Sequence, residues 1–198
     1  MGQRIEFFWD IGSTNTYFAL HLIRPLARRH DATIVMRPFN LGFVFRHHNY
    51  VLMEEPAAKI ANRKRDLERW AERYDLPFRF PDVFPIKTSR ALRGSLAARA
   101  EGREDAYLDA IFRRYWEQND HGIAELSGLA SVATEIGLDA DSFIAAVESD
   151  ATKQALITET SDALERGIFG APSIQVGQEL FWGKDRMEFV EDALKQGA

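Results

Sequence analysis

The chain has 198 residues, 45% of them apolar, and its 14 Phe and 4 Trp are enough to fill a full core. It has no cysteine, which excludes disulfides, thiolate metal sites and cysteine nucleophiles. The formal charge of −5 argues against a nucleic-acid partner. No stretch reaches the roughly 20 apolar residues of a membrane span. The first residues lack the charged start, apolar run and cleavage site of a signal peptide, so a soluble cytoplasmic protein is expected.

Residues 4–9 (Arg-Ile-Glu-Phe-Phe-Trp) are apolar and aromatic and read as a buried strand. Residues 14–29 follow helical spacing, with Tyr17, Phe18, Leu20, Ile23 and Leu26 near one face. Ser13 or Thr14 is the expected N-cap, and Pro25 should kink this helix because it lacks a backbone donor. Residues 32–39 form a second, β-branched strand, giving a right-handed β-α-β unit with parallel strands. From about residue 54 to 167 the pattern is almost wholly helical, with breaks near Pro77 to Pro85, Gly102, Gly122, Gly128, Gly137 and Asp150. Two short strands at 173–176 and 179–182 follow, joined by a hairpin turn at Gly177-Gln178. A last helix is expected from about 184 to 195.

The layout is β-α-β, a long helical insertion, then β-β-α. This is an α/β thioredoxin-like fold, with its core at about 1–50 and 168–198 and a large all-helical insertion at about 54–167. Such folds normally place two thiols at the first strand-to-helix junction. Here Ser13 and Thr16 stand at those places, so any sulfur chemistry must come from outside the chain.

Four segments in this order carry a resemblance. They are Trp9-Asp10-Ile11-Gly12-Ser13-Thr14-Asn15-Thr16-Tyr17, Lys59 with the helix through Pro77, Phe84-Pro85-Ile86-Lys87 through Arg93, and Gly167 through Arg186. Together they resemble the 2-hydroxychromene-2-carboxylate isomerase and kappa-class glutathione transferase family, a branch of the DsbA-like thioredoxin superfamily. Thr14 differs from the family's proline, and Lys87 from its frequent asparagine. The resemblance implies glutathione as cofactor, a homodimer, and cis–trans isomerisation of an aromatic substrate through reversible thiol addition. A kappa-like transferase or peroxidase, and a non-catalytic thioredoxin-fold binding module, are the alternatives.

A free thiol has a pKa of about 8.5 and needs help to ionise near neutrality. A helix N-terminus supplies unpaired N–H groups and partial positive charge, and a hydroxyl there can donate to the thiolate. That is the catalytic role the resemblance implies for Ser13, which by local sequence alone reads as a plain N-cap. The resemblance implies that Ala171-Pro172 is a cis pair whose backbone meets the cysteinyl unit of glutathione as an added strand. It also gives Trp182, Gly183, Lys184 and Asp185 to the γ-glutamyl end, with anion-binding N–H groups at the start of the last helix. Without it, Asp185 is a first-turn helix charge. Lys59 is the expected partner of the glycine carboxylate, and Asn49 a substrate contact. For a substrate carboxylate, Arg37, Arg46 and Lys87 stand unranked. No histidine pair has ligand spacing, so no metal site is expected.

Overall fold

A computed structural model describes residues 3–51 and 55–197. The central strand β1 (Arg4–Trp9) lies between β2 (Thr33–Pro38), parallel to it, and β3 (Ser173–Val176), antiparallel to it. β4 (Glu179–Trp182) completes the order β2-β1-β3-β4. A strand covered on both faces needs apolar residues without alternation. The run Phe7-Phe8-Trp9 meets that need, each residue being 1% exposed or less.

Helix α1 (Thr14–Arg29) crosses from β1 to β2 and runs through Pro25 without ending there. The sequence pattern assigns nothing to residues 41–53. Leu41–His47 form a short helix, α2, because the Asn40 Oδ1 accepts from the Phe43 N–H at 3.1 Å and caps it. Between α2 and β3 come α3 (Ala57–Tyr74), α4 (Ser89–Ala100), α5 (Glu104–Trp116), α6 (Leu126–Glu135), α7 (Ala140–Glu148) and α8 (Asp150–Glu165), with a 3-10 turn at His121–Ala124. The chain closes with α9 (Met187–Gln196).

The helical segment is held to the sheet by specific contacts as well as by burial. The Trp116 indole N–H donates to the Ile11 carbonyl at 2.9 Å, tying α5 to the turn after β1. Arg99 of α4 reaches the Met36 carbonyl of β2 at 2.6 Å. Within the segment, α4 and α5 approach so closely that a Cβ on Gly94 would lie 2.0 Å from the Tyr107 hydroxyl oxygen. Only glycine fits there, which explains an otherwise costly glycine in mid-helix. The arrangement is the thioredoxin-like one expected from the sequence, with a mixed sheet and a helical segment inserted after the β-α-β unit.

Candidate active site

The C-terminal end of β1 opens into a cavity of about 880 Å³. Its floor is the turn between β1 and α1, which contributes Asp10, Gly12 and Ser13. One wall is the loop before β3, with Phe169, Gly170 and Ala171, joined by Trp182 from the end of β4. The opposite wall is α2 and the chain after it, with Phe45, Arg46, His48 and Tyr50. The segment from Phe84 to Ser89 closes a third side.

Ser13 is 9% exposed and lies at the N-cap of α1. Its Oγ accepts from the Thr16 N–H at 3.3 Å and donates to the Ala171 carbonyl at 2.8 Å. The hydroxyl thus joins two segments 158 residues apart in sequence, and serves both as a cap and as a contact of the facing loop. The Ala171–Pro172 peptide bond is cis, as is Phe84–Pro85, which the sequence did not single out. Among the described residues no acceptor meets the Ala171 N–H. Gly170 lies against the Trp182 indole, where a Cβ would come within 2.8 Å of the ring nitrogen. Phe169 and Trp182 are half-exposed and meet at 5.4 Å between ring centroids, forming an aromatic rim.

Beneath Ser13 lies Asp10, a residue not selected from the sequence. It is 1% exposed. Its Oδ1 accepts from the Gly12 N–H at 2.8 Å, and its Oδ2 from the Leu41 N–H at 2.9 Å and from the Thr88 hydroxyl at 3.1 Å. One carboxyl therefore links the β1–α1 turn, the start of α2 and the start of α4. Burial pushes its pKa up to about 6, although all three donors favour the charged form. Burial first, and then the Asp10 charge, raise the Tyr115 phenol as well.

The expected glutathione contacts distribute unevenly. Lys59 is 67% exposed along its side chain, pairs with Glu55 at 2.8 Å and does not line the cavity. Arg63, one turn later on α3, does line it and also pairs with Glu55. Lys184 does not itself line the cavity. Its Nζ donates to the Asn15 Oδ1 at 3.1 Å, lies 3.6 Å from Asp66 and sits over the Trp70 ring. Burial lowers its pKa, against the pull of Asp66 and Asp185. Asp185 pairs with Arg186 at 3.2 Å. The last helix starts at Met187, later than the expected 184. Gly183 is the reason: at φ +107° it holds a turn whose N–H donates to the Pro172 carbonyl at 3.0 Å. Gly183 to Asp185 therefore form a turn after β4, not a helix N-terminus. Asn49, at φ +53° just past α2, is exposed and off the cavity.

Of the three cations unranked by sequence, Arg37 is held by Glu6 at 2.8 Å and Glu159 at 3.3 Å, outside the cavity. Arg46 and Lys87 line the cavity, and neither forms an ion pair among the described residues. The signal that could have found Asp10 was present in the sequence. A carboxylate ending an aromatic strand, two residues before a glycine N–H, is a buried turn former.

Comparison with known proteins agrees with this geometry. The DSBA-like thioredoxin domain matches residues 4–195. A 2-hydroxychromene-2-carboxylate isomerase of Sphingobium xenophagum is 32% identical over 98% of this chain and 99% of its own. A glutathione s-transferase kappa 2 of Caenorhabditis elegans is 25% identical over 97% of this chain and 92% of its own. A solved 2-hydroxychromene-2-carboxylate isomerase structure superposes with a TM-score of 0.85 at 28% identity, covering 98% of this chain and 95% of the other. The chain belongs to the DSBA-like thioredoxin family, in the branch that holds the 2-hydroxychromene-2-carboxylate isomerases and kappa-class glutathione transferases.

Proposed function

We propose that the protein is a glutathione-dependent isomerase of the 2-hydroxychromene-2-carboxylate type. The observation that carries this reading is the Ser13 hydroxyl, set at the N-terminus of α1 and bonded to the Ala171 carbonyl of the facing loop. The residues present fit glutathione. The Ala171 N–H lacks an acceptor among the described residues, so an extended peptide can add there by backbone pairing. Ser13 can turn its hydroxyl from the Ala171 carbonyl to a thiolate, while the first N–H groups of α1 add their partial charge. When bound, glutathione supplies a thiolate that adds reversibly to the activated double bond and leaves after bond rotation.

The rest of the cavity suits an anionic aromatic substrate. Phe45, Phe84 and Phe169 offer apolar faces. Arg46 and Lys87 are the cations for its carboxylate. Arg63 draws the glycine end of glutathione toward α3, where Lys59 joins it by exchanging Glu55 for that carboxylate. Trp182 at the end of β4 and the turn from Gly183 to Asp185 frame the γ-glutamyl end.

The test is calorimetric titration with glutathione of the wild type and Ser13→Ala, with thiol absorbance followed against pH. Saturable binding with a lowered thiol pKa, weakened in the variant, supports the cofactor assignment. Conversion of 2-hydroxychromene-2-carboxylate without consumption of glutathione then supports the isomerase. Release of a stable conjugate instead moves the reading to a transferase. No binding at millimolar glutathione overturns it and leaves a thioredoxin-fold module with another ligand.

A further inference from the structure

Thr88 stands at the N-cap of α4, where a threonine hydroxyl ordinarily accepts from the first turn of its helix. It makes no such bond. Its hydroxyl turns the other way and donates to the Asp10 carboxylate at 3.1 Å. A capping role therefore does not account for it. The contact is also crowded: a Cβ on Gly12 would come within 3.0 Å of the Thr88 methyl, so the threonine is packed against the turn that carries Ser13. Both Thr88 and Asp10 line the cavity. The oxygen of Thr88 receives no hydrogen bond among the described residues, which leaves it able to accept one from a bound molecule.

We propose that Thr88 and Asp10 form a proton relay that opens and closes the substrate's ring. This rests on the isomerase reading above and assigns a second task to the same cavity. A 2-hydroxychromene carries a hydroxyl and the ring oxygen on one carbon. Opening the ring takes the proton from that hydroxyl and delivers one to the ring oxygen. The hydroxyl proton passes to the Thr88 oxygen as the Thr88 proton passes to Asp10 Oδ2. The freed O–H electron pair becomes the second bond of the new carbonyl. The bond from that carbon to the ring oxygen breaks, with its pair left on the oxygen. Asp10 then returns its proton through Thr88 to that oxygen, giving the phenol. No net proton or electron is gained or lost by the protein.

Geometry permits one relay to serve both oxygens because they share a carbon. The acidity also suits the task, since a carboxyl held near 6 can take and return a proton close to neutral pH. The groups around Asp10 are few. The β1–α1 turn presents the Gly12 N–H and α2 the Leu41 N–H, neither of which titrates. From α5 the Tyr115 phenol senses its charge and stays protonated. Lys87, next to Thr88, and Arg46 on α2 are the cations that line the same cavity.

The experiment compares Thr88→Val and Thr88→Ser with wild type, on the protein saturated with glutathione. Glutathione binding and the thiol absorbance titration report the cofactor site. The isomerisation rate against pH, in water and in heavy water, reports the relay. Thr88→Val is expected to keep glutathione binding and lose about 100-fold in kcat, the scale of one acid–base group. Thr88→Ser is expected to recover most of that loss. The wild-type kcat should fall below about pH 6, and the residual Thr88→Val rate should lack that limb. A Thr88→Val kcat equal to wild type overturns the relay alone. So does a wild-type kcat that is flat from about pH 5 to about pH 8 with no solvent isotope effect, whatever the variants do. Absence of isomerisation in the wild type overturns the relay and the isomerase reading together.

Discussion

The two long walls of the cavity are built on different physical terms. On the sheet side, Asp10, Ser13 and Ala171 are each under 10% exposed, and the polar side chains among them are bonded at 3.3 Å or less. On the helical side, His48 and Tyr50 are exposed and Arg46 lacks an ion pair among the described residues. Lys59, which is exposed, and Arg63, which is half-buried, share Glu55. A buried, fully bonded group holds its geometry, while an exposed cation on a long stem can be redirected at small cost. The chemistry is therefore expected on the first wall, and the choice of substrate on the second.

That contrast can be broken at graded points. The largest effect belongs to Ser13→Ala, which removes one preorganised donor and should cost roughly 100- to 1,000-fold in kcat. Turnover near wild type would take the hydroxyl out of the chemistry. Next comes Asp10→Asn, read as stability. Burial raises the native pKa from 3.8 to about 6, so the folded state holds this proton more tightly than the unfolded one. The stability tied to Asp10 is full below the unfolded value and is lost as pH rises through about 6. Urea unfolding of wild type against Asp10→Asn should therefore narrow or reverse in the variant's favour between about pH 4 and about pH 7, by on the order of 3 kcal/mol. A difference that stays constant with pH would mean that the carboxyl is not desolvated.

Smaller effects fall on the second wall. Lys87→Gln and Arg46→Gln should each raise KM for the carboxylate substrate about tenfold with kcat little changed, the scale of one hydrogen bond to a charged group. A fall in kcat at constant KM would move that cation to the first wall. Smallest is Lys59→Ala, which should weaken glutathione binding no more than about fivefold, the range of an exposed pair. A larger loss would show that Lys59 leaves Glu55 and is buried by the bound tripeptide.

The same contrast explains what the sequence could and could not disclose. Phe7-Phe8-Trp9 marks β1 because a strand covered on both faces has no polar positions to hide it. Gly177 marks the last hairpin because its φ of +58° suits a residue without a Cβ. Ser13 and Pro172 were legible through their neighbours. The start of α9 was not, because the backbone of Gly183 is set by a bond to the Pro172 carbonyl. Periodicity places Lys59 and Arg63 on one helix but does not say that Glu55 takes up the first. The Asp10–Thr88 contact joins residues 78 positions apart, and a threonine before a helix reads as a cap whichever way its hydroxyl turns. Long-range polar pairing leaves no periodic trace, so the sequence pattern carried the scaffold further than it carried the site.

The aromatic rim has a practical consequence for watching this cavity fill. Trp9 and Trp116 are 1% exposed or less, whereas Trp182 is 53% exposed and stands at the mouth beside Phe169. An indole half in water emits at longer wavelength than one sealed in apolar surroundings, so the long-wavelength emission comes from Trp182 and the partly buried Trp70, and of these two Trp182 lines the cavity. Its emission should move to shorter wavelength as a ligand covers the rim, giving an optical signal of occupancy that needs no label, no coupled enzyme and no turnover.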